Sequence, residues 1–468
     1  MELSVMKSVI QRYEPFQAEF IRRAQVCERY YLNDTDIMHK AKNDDGKDGE
    51  ESPLRNADNR IPRNFHGLLV NQKAAYAFTT PPAFDVGNQS QNRLIADTLG
   101  DRYAKNCMDL CINAANTSVG WVHYWISPEE GFNWAVVDSK QVYPIFNGDL
   151  DEKLLAVLRV YKLLDENDGQ TYVVYEYWTD TECQAFRRRA ADTVDEGLMM
   201  YDMFADPMTG DPTDEYQHGL GAVPFIPFFN NNTHTDDLAN TKDLIDVYDK
   251  VYSGFINDLD DIQELIFVLS GYGGTDLAGF LSDLKKYKTI KLDDTEGSPG
   301  VSTISIEIPI EARSSVLDAT RKAIFEQGLG FDPRPETFGN QSGVALKFMY
   351  ALLEMKVGFM QTEFMIGFNM LVRAILAAHD QSAGAIHQTW RRTAIQNDQE
   401  TAAICKESVG VISTRTIVAN HPFVTDAEAE LKQMEKEKQE AMDQYAEAFP
   451  QNNNPVKDDG DDDEEGEE

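Results

Sequence analysis

Between Asp236 and Leu269 the sequence carries two stripes at three-and-four spacing, and together they leave this segment few ways to fold. One stripe is apolar: Tyr248, Val251, Tyr252, Phe255, Leu259, Ile262, Ile266 and Leu269. The other is acidic or polar: Asp246, Asp249, Ser253, Asn257, Asp260 and Glu264. The pattern predicts one amphipathic helix over 236–269, about 45 Å long at 1.5 Å per residue. Gly271-Tyr272-Gly273-Gly274 ends it. A compact insert follows at 270–310: a short helix (276–286), a strand (289–292), a turn (293–300) and a strand (302–308). A second helix is expected over 311–327. Two amphipathic rods joined through a compact module are expected to bury their apolar sides by packing round an axis with copies of themselves.

The segment 328–341 holds two prolines and three glycines and reads as a loop. Ser342 is placed to cap a helix running to about Ala378. Its apolar stripe runs Val344, Phe348, Leu352, Met355, Phe359, then Phe364, Phe368, Leu371 and Ile375. The stripe slips by one residue near Gly358, which predicts a bend or a change of packing partner. Residues 381–449 read as a small helical domain, and 450–468 as a disordered acidic tail.

Upstream, Val5, Ile10, Phe16, Phe20 and Ile21 predict a helix over 4–31. A polar linker at 43–59 separates it from a second helix starting near Pro62 and a third over 92–116. At Gly120 the character changes. Strands are expected at 121–126, 133–137, 141–145, 154–161 and 171–178, forming an antiparallel meander, with weaker signals as far as 224–229. The fold class is α+β, mainly helical.

There are 79 acidic residues against 43 basic, a net charge of −36. Tight, static binding to nucleic acid comes from Lys and Arg neutralising phosphates, so this balance argues against it. It does not oppose DNA passing without sticking. The five cysteines include no CxxC, which favours reduced thiols over a zinc site. The N-terminus breaks every apolar run with charge and is not expected to be a signal peptide. No run approaches the roughly 20 apolar residues that span a bilayer, so no membrane partner is expected.

Catalytic signatures are missing. The sequence has no GxxxxGK[ST], no HExxH and no GxSxG, and its eight histidines do not cluster at ligand spacing. Asp260-Asp261 would diverge on a helix, which weighs against a metal-dependent nuclease. No enzyme activity, cofactor or metal is expected.

Several segments, in order, resemble the portal proteins of tailed bacteriophages, the long-tailed siphophage type. They are Asn64…Lys73…Tyr76…Pro81; Gly221-Ala-Val-Pro-Phe-Ile-Pro-Phe-Phe-Asn-Asn-Asn232 leading into Asp243–Asp249; Ser253 to Asn257-Asp258; Ser342-Gly-Val-Ala-Leu-Lys347; and Gly410-Val-Ile-Ser-Thr-Arg-Thr416 with Pro422-Phe423-Val424 and Asp426. The resemblance implies a ring, with twelve subunits as the expected number, whose channel passes double-stranded DNA into and out of the head. It implies a wing (1–235), stem helices (236–269 and 311–327), a clip (270–310), a tunnel loop (328–341), a long bent helix (342–380) and a crown (381–449). The implied partners are the terminase large subunit, a head-tail connector or adaptor, and the major capsid and scaffolding proteins. The implied location is the portal vertex of the virion, after assembly in the host cytoplasm. The linker at 43–59 and the acidic tail match no part of the family pattern. The competing readings are another capsid-associated structural or adaptor protein, and a metal-dependent nucleic-acid enzyme.

Within that frame the polar stem stripe (Asp246, Asp249, Asp260, Glu264) is a candidate channel lining, since carboxylates repel phosphate and keep a duplex centred. At a Debye length of about 8 Å, only residues very near the DNA count. The loop candidates for DNA contact are Asp332, Arg334, Glu336, Asn340 and Gln341. Lys285, Lys286, Lys288 and Lys291 make the insert locally basic and are candidates for docking an acidic partner.

Overall fold

A computed structural model of the chain describes residues 1–40, 57–127, 131–150, 152–166, 168–262, 266–269, 289–291, 301–304, 309–334, 350–392, 398–424 and 427–448. The expected helix at 276–286, the Ser342 cap, the acidic tail and most of the 43–59 linker lie outside them. The chain divides into two units: Met1–Asn340 with Lys347–Ala394, and Gln341–Leu346 with Ile395–Glu468.

The first unit opens with α1 (Leu3–Tyr31), whose buried face is Met6, Ile10, Gln17, Ala24, Cys27 and Tyr30. Of the expected stripe Ile10 is buried, but Val5 and Phe16 are 47% and 75% exposed. A helix apolar on two sides does not reveal which side is covered. Gln17 belongs to the covered face because its amide donates to the carbonyls of Lys140 and Val142. A single turn, α2 (Asp36–His39), precedes α3 (Phe65–Phe78), which Asn64 caps by accepting from the Gly67 amide. After the short strand β1 (Ala83–Asp85), the expected helix at 92–116 is two helices, α4 (Gln89–Leu99) and α5 (Tyr103–Thr117). Gly100 separates them at φ +69, a backbone conformation that suits glycine.

The strands form two sheets instead of one meander. β2 (Val119–Ser127) pairs with β3 (Gly131–Val137). A 3₁₀ turn at Ser139–Gln141, held by the Asp138 carboxylate accepting from the Lys140 amide, then takes the chain off that sheet. β4 (Val142–Phe146), β5 (Leu154–Leu164), β6 (Thr171–Trp178) and β7 (Glu182–Arg189) build the second, all antiparallel. β7 falls in the stretch where the strand signals of the sequence are weaker. Its arginines find aromatic faces: Arg187 lies 4.5 Å from the Tyr172 ring and 4.6 Å from that of Tyr201.

A single turn, α6 (Val194–Gly197), and short strands follow: β8 (Met199–Met200), β9 (Phe204–Ala205), β10 (Pro212–Thr213) and β11 (Glu215–Gln217). β8 and β11 pair with β7. β12 (Phe225–Phe229) returns to the first sheet beside β2. α1 covers one face of the second sheet, placing Met6 and Ile10 among Leu158, Val173, Tyr175 and Phe186.

The expected helix at 236–269 is shorter at both ends. Residues 236–241 turn, with the Asp237 amide donating to the Ala115 carbonyl. α7 (Lys242–Ile262) has 21 residues, about 32 Å. Ile266–Leu269 is strand β13, antiparallel to β15 (Val301–Ile304) and parallel to β14 (Thr289–Lys291). The run Ile266-Phe267-Val268 suits a pleated surface as well as a helix stripe, and the available strand partners decide. α8 (Ile310–Gln327) packs along α7.

α9 (Ala351–Ala377) buries Leu353, Val357, Met360, Phe364, Phe368, Leu371 and Ile375 in the main core with α3, α4, α5 and β12. This stripe is continuous through Gly358, so no slip occurs. Met355 and Phe359, expected inside, are 45% and 47% exposed. Gly367 lets β12 approach: a Cβ there would lie 2.7 Å from the Phe228 ring. β16 (His387–Thr389) closes the unit antiparallel to β1.

The second unit is helical. It holds α10 (Asp398–Glu407), α11 (Thr414–Ala419), capped by Ser413, and α12 (Ala427–Ala448). α11 and α12 pack together. The overall balance is α+β with helix predominating.

Candidate channel helices and their anchors

The pair α7–α8 carries the geometry that the sequence singled out. The two helices pack on each other, and strands β13, β14 and β15 lie between them in the chain. Among the described contacts, Arg313 pairs with Asp258 between them, and its guanidinium sits 5.7 Å from the Phe255 ring.

The polar stripe of α7 does not behave as one exposed lining. Asp249 is fully buried within the chain. Its carboxylate accepts from the Thr35 hydroxyl at 2.6 Å and the Arg63 amide at 3.0 Å. Burial raises its pKa to about 6 against those two hydrogen bonds. One helical turn on, the Ser253 hydroxyl accepts from the Ile61 amide at 3.0 Å. A turn further, the Asn257 side chain accepts from the Asn59 amide at 2.6 Å. Asp260 is exposed and accepts from the Asn59 side chain at 2.6 Å. Asp246 is tied at the other end, to the Tyr30 hydroxyl and, at 2.7 Å, to Lys242, which also reaches Asp36 at 2.6 Å. Glu264 lies outside the described residues.

After α8 the chain is fastened residue by residue. The Gln72 side chain accepts from the Phe331 amide at 3.1 Å and donates to its carbonyl at 2.6 Å. The Phe331 ring stacks on Tyr350 at 5.1 Å. Asp332 is gripped by Arg321 through two bonds of 2.7 and 3.0 Å, and by Arg334 at 3.0 Å. Burial works to raise its pKa, but the Arg321 and Arg334 guanidiniums outweigh it and hold the carboxyl below its usual value. Arg334 also reaches Asp318 at 3.0 Å and stays partly exposed. Glu336, Asn340 and Gln341 lie outside the described residues, as do Lys285, Lys286 and Lys288. Lys291 is the last residue of β14, opposite Leu269 in β13.

Sequence reasoning missed a buried polar cluster at the root of this loop. Asp237 is flanked by two lysines, Lys73 at 3.3 Å and Lys356 at 3.0 Å, all three buried or nearly so. Lys73 also donates to Asn230 at 2.6 Å. The Asp237 carboxyl is held far below its usual pKa: burial opposes this, and the two ammonium charges win. Burial lowers the Lys356 pKa, against the pull of Asp237. In the sequence both lysines look like interruptions of apolar helices. A charge among residues all destined for the interior was the available signal.

All five cysteines are buried and free. Among the described residues, no group of His, Cys, Asp and Glu is placed to hold a metal ion. No described helix is long and apolar enough to cross a membrane.

Comparison with known proteins bears on this arrangement. Residues 10–444 match the family model described as "Phage portal protein, SPP1 Gp6-like". The portal protein of Clostridium phage phiCD119 is 39% identical over 464 residues, covering 94% of this chain and 97% of that one. The portal protein of Bacillus phage SPP1 is 27% identical over 433 residues, covering 90% of this chain and 83% of its own length. A solved chain from "Neck of native GTA particle computed with C12 symmetry" aligns at a TM-score of 0.36 and 12% identity, over 76% of this chain and 89% of that one. With a family model spanning nearly its whole length and a relative well above 30% identity, the chain belongs to the SPP1 Gp6-like family of phage portal proteins.

Proposed function

We propose that this chain is the portal vertex subunit of a tailed-phage head. Copies close into a ring of twelve, and double-stranded DNA passes through the central channel during packaging and ejection. The protein acts as a structural component without enzymatic chemistry. The observation that carries the reading is the α7–insert–α8 unit within a chain of this family: two helices packed on each other with a three-stranded sheet between them in the chain.

The parts follow from that unit. The wing is 1–235, and α7 and α8 are the stem. The clip is 270–310, the tunnel loop is 328–341, and 381–449 is the crown. The clip docks the terminase large subunit and later the head-tail connector, with Lys285, Lys286, Lys288 and Lys291 as the contact candidates. The wing meets the major capsid and scaffolding proteins. Asp260 and Glu264 remain candidates for the lumen wall, where carboxylates would repel phosphate. Asp246 and Asp249 are assigned to anchoring. Arg334, partly exposed beside the loop, is the first candidate for phosphate contact, followed by Asn340 and Gln341, with Asp332 and Glu336 as DNA-facing positions.

Negative-stain imaging of the purified protein tests the reading. Rings with a through-channel are expected. Particles without a ring would favour an adaptor or another capsid-associated component.

A further inference from the structure

We propose that residues 57–64 are a strap that positions α7, and that Asp249, Ser253 and Asn257 are the positioning residues that read its backbone.

The contact pattern is alternating. The amides of Asn59, Ile61 and Arg63, every second residue, donate to Asn257, Ser253 and Asp249. Two residues of extended chain advance about 6.6–6.8 Å, and four residues of helix advance about 6 Å. Three anchors therefore stay in register along an antiparallel run of strap and helix. Asn257 adds a return bond from its side-chain nitrogen to the Asn59 carbonyl at 3.4 Å. The Arg63 guanidinium lies 4.2 Å from the Tyr252 ring and closes one end. At the other, Arg60 binds Asp58 and the Lys40 carbonyl.

The strap sequence suits this use. Pro62 has no amide hydrogen, and it falls at a position whose amide is not read. Its ring also restricts Ile61 to extended backbone, the conformation the ladder needs. The strap is thus shaped before it docks. That lowers the entropy cost of ordering it.

A row of anchors spanning nine residues of α7 fixes the helix's rotation about its own axis. Each residue of slip would turn the helix by about 100° and change which side chains face a common axis. This consequence rests on the portal reading; the strap contact does not.

The test compares the wild-type chain with S253A/N257A, with the conservative pair S253T/N257D, and with I61P, which removes the middle amide and leaves α7 untouched. Amide exchange is read at single residues, and DNA retained per head is read alongside. In the wild type, Asn59, Ile61 and Arg63 exchange more slowly than Arg60. S253A/N257A and I61P raise exchange of the remaining strap amides by about ten-fold, the scale of one or two hydrogen bonds. They still form rings but retain less DNA. S253T/N257D, which keeps both acceptors, restores protection and retention. Strap amides that exchange as fast as Arg60 in the wild type, or that ignore the alanine pair, overturn the strap. A loosened strap with unchanged DNA retention overturns its positioning role. A wild type that forms no ring defeats the portal reading and leaves the exchange result standing.

Discussion

Lys356 donates to the carbonyl oxygen of Gly328 at 3.0 Å, so a lysine on the buried side of α9 closes the C-terminal end of α8. The last carbonyls of a helix have no partner within it and carry the negative end of its dipole. A buried ammonium satisfies both needs. The same nitrogen lies 3.0 Å from Asp237, which Lys73 also approaches. Four stretches of chain thus converge on one carboxylate: α3, the turn before α7, the end of α8, and α9.

Substitution of this cluster should be asymmetric. K356M leaves Asp237 its Lys73 partner and is expected to cost about 1–3 kcal/mol, near the penalty for an unsatisfied buried group. D237N leaves two ammoniums facing each other and is expected to cost about 3–5 kcal/mol. Urea unfolding of the purified variants orders the two. A larger loss for K356M would contradict the arrangement.

Asp249 should make stability depend on pH. Its folded pKa, raised by burial to about 6, stands above the ordinary 3.8. The folded chain therefore holds its proton more tightly than the unfolded chain. The resulting stabilisation is complete below about pH 4 and fades as pH rises through 6. D249N keeps an acceptor for the Arg63 amide and cannot ionise. Its melting temperature relative to wild type should rise between pH 5 and pH 8, as read by thermal melts across that range.

Gly367 should not tolerate a side chain. The Phe228 ring that a Cβ would meet is fully buried and held between Phe364 and Phe368 at 5.2 and 5.0 Å. With no room for the ring to move, G367A is expected to cost about 1–3 kcal/mol. Denaturant midpoints measure it, and a neutral result would mean that α9 lies further from β12.

Arg334 should separate stability from DNA contact. R334A removes its bonds to Asp318 and Asp332 while the Arg321–Asp332 pair remains. The partly exposed pairs it loses are worth about 1 kcal/mol at most. Unfolding should hardly change, while DNA retention becomes less sensitive to salt. Retention identical to wild type at every salt concentration would remove Arg334 from the contact set.

Local periodicity made much of the fold legible. The strands at 154–161 and 171–178, the helix at 311–327 and the turn from helix to strand at Gly120 needed only the spacing of apolar residues and the turn residues between them. The errors lie where two faces of one element are both plausible. α1 carries Phe16 and Met6 on different sides, and α9 carries Phe359 and Met360 side by side. Neither sequence states which side the rest of the chain covers. Ile266–Leu269 reads equally as helix or strand until β14 and β15 are present to pair with it.

By itself, the sequence determined the main helices and strands, the two helices flanking an insert, and an acidic balance unsuited to gripping DNA, because each of these follows from near neighbours in the chain. Tertiary structure alone decided that Asp249, Ser253 and Asn257 face a strap some 190 residues earlier in the chain, and that Lys73 and Lys356 share one carboxylate. A polar stripe on a helix records only that polar partners exist. Whether those partners are water, DNA or backbone amides depends on what the rest of the chain brings alongside.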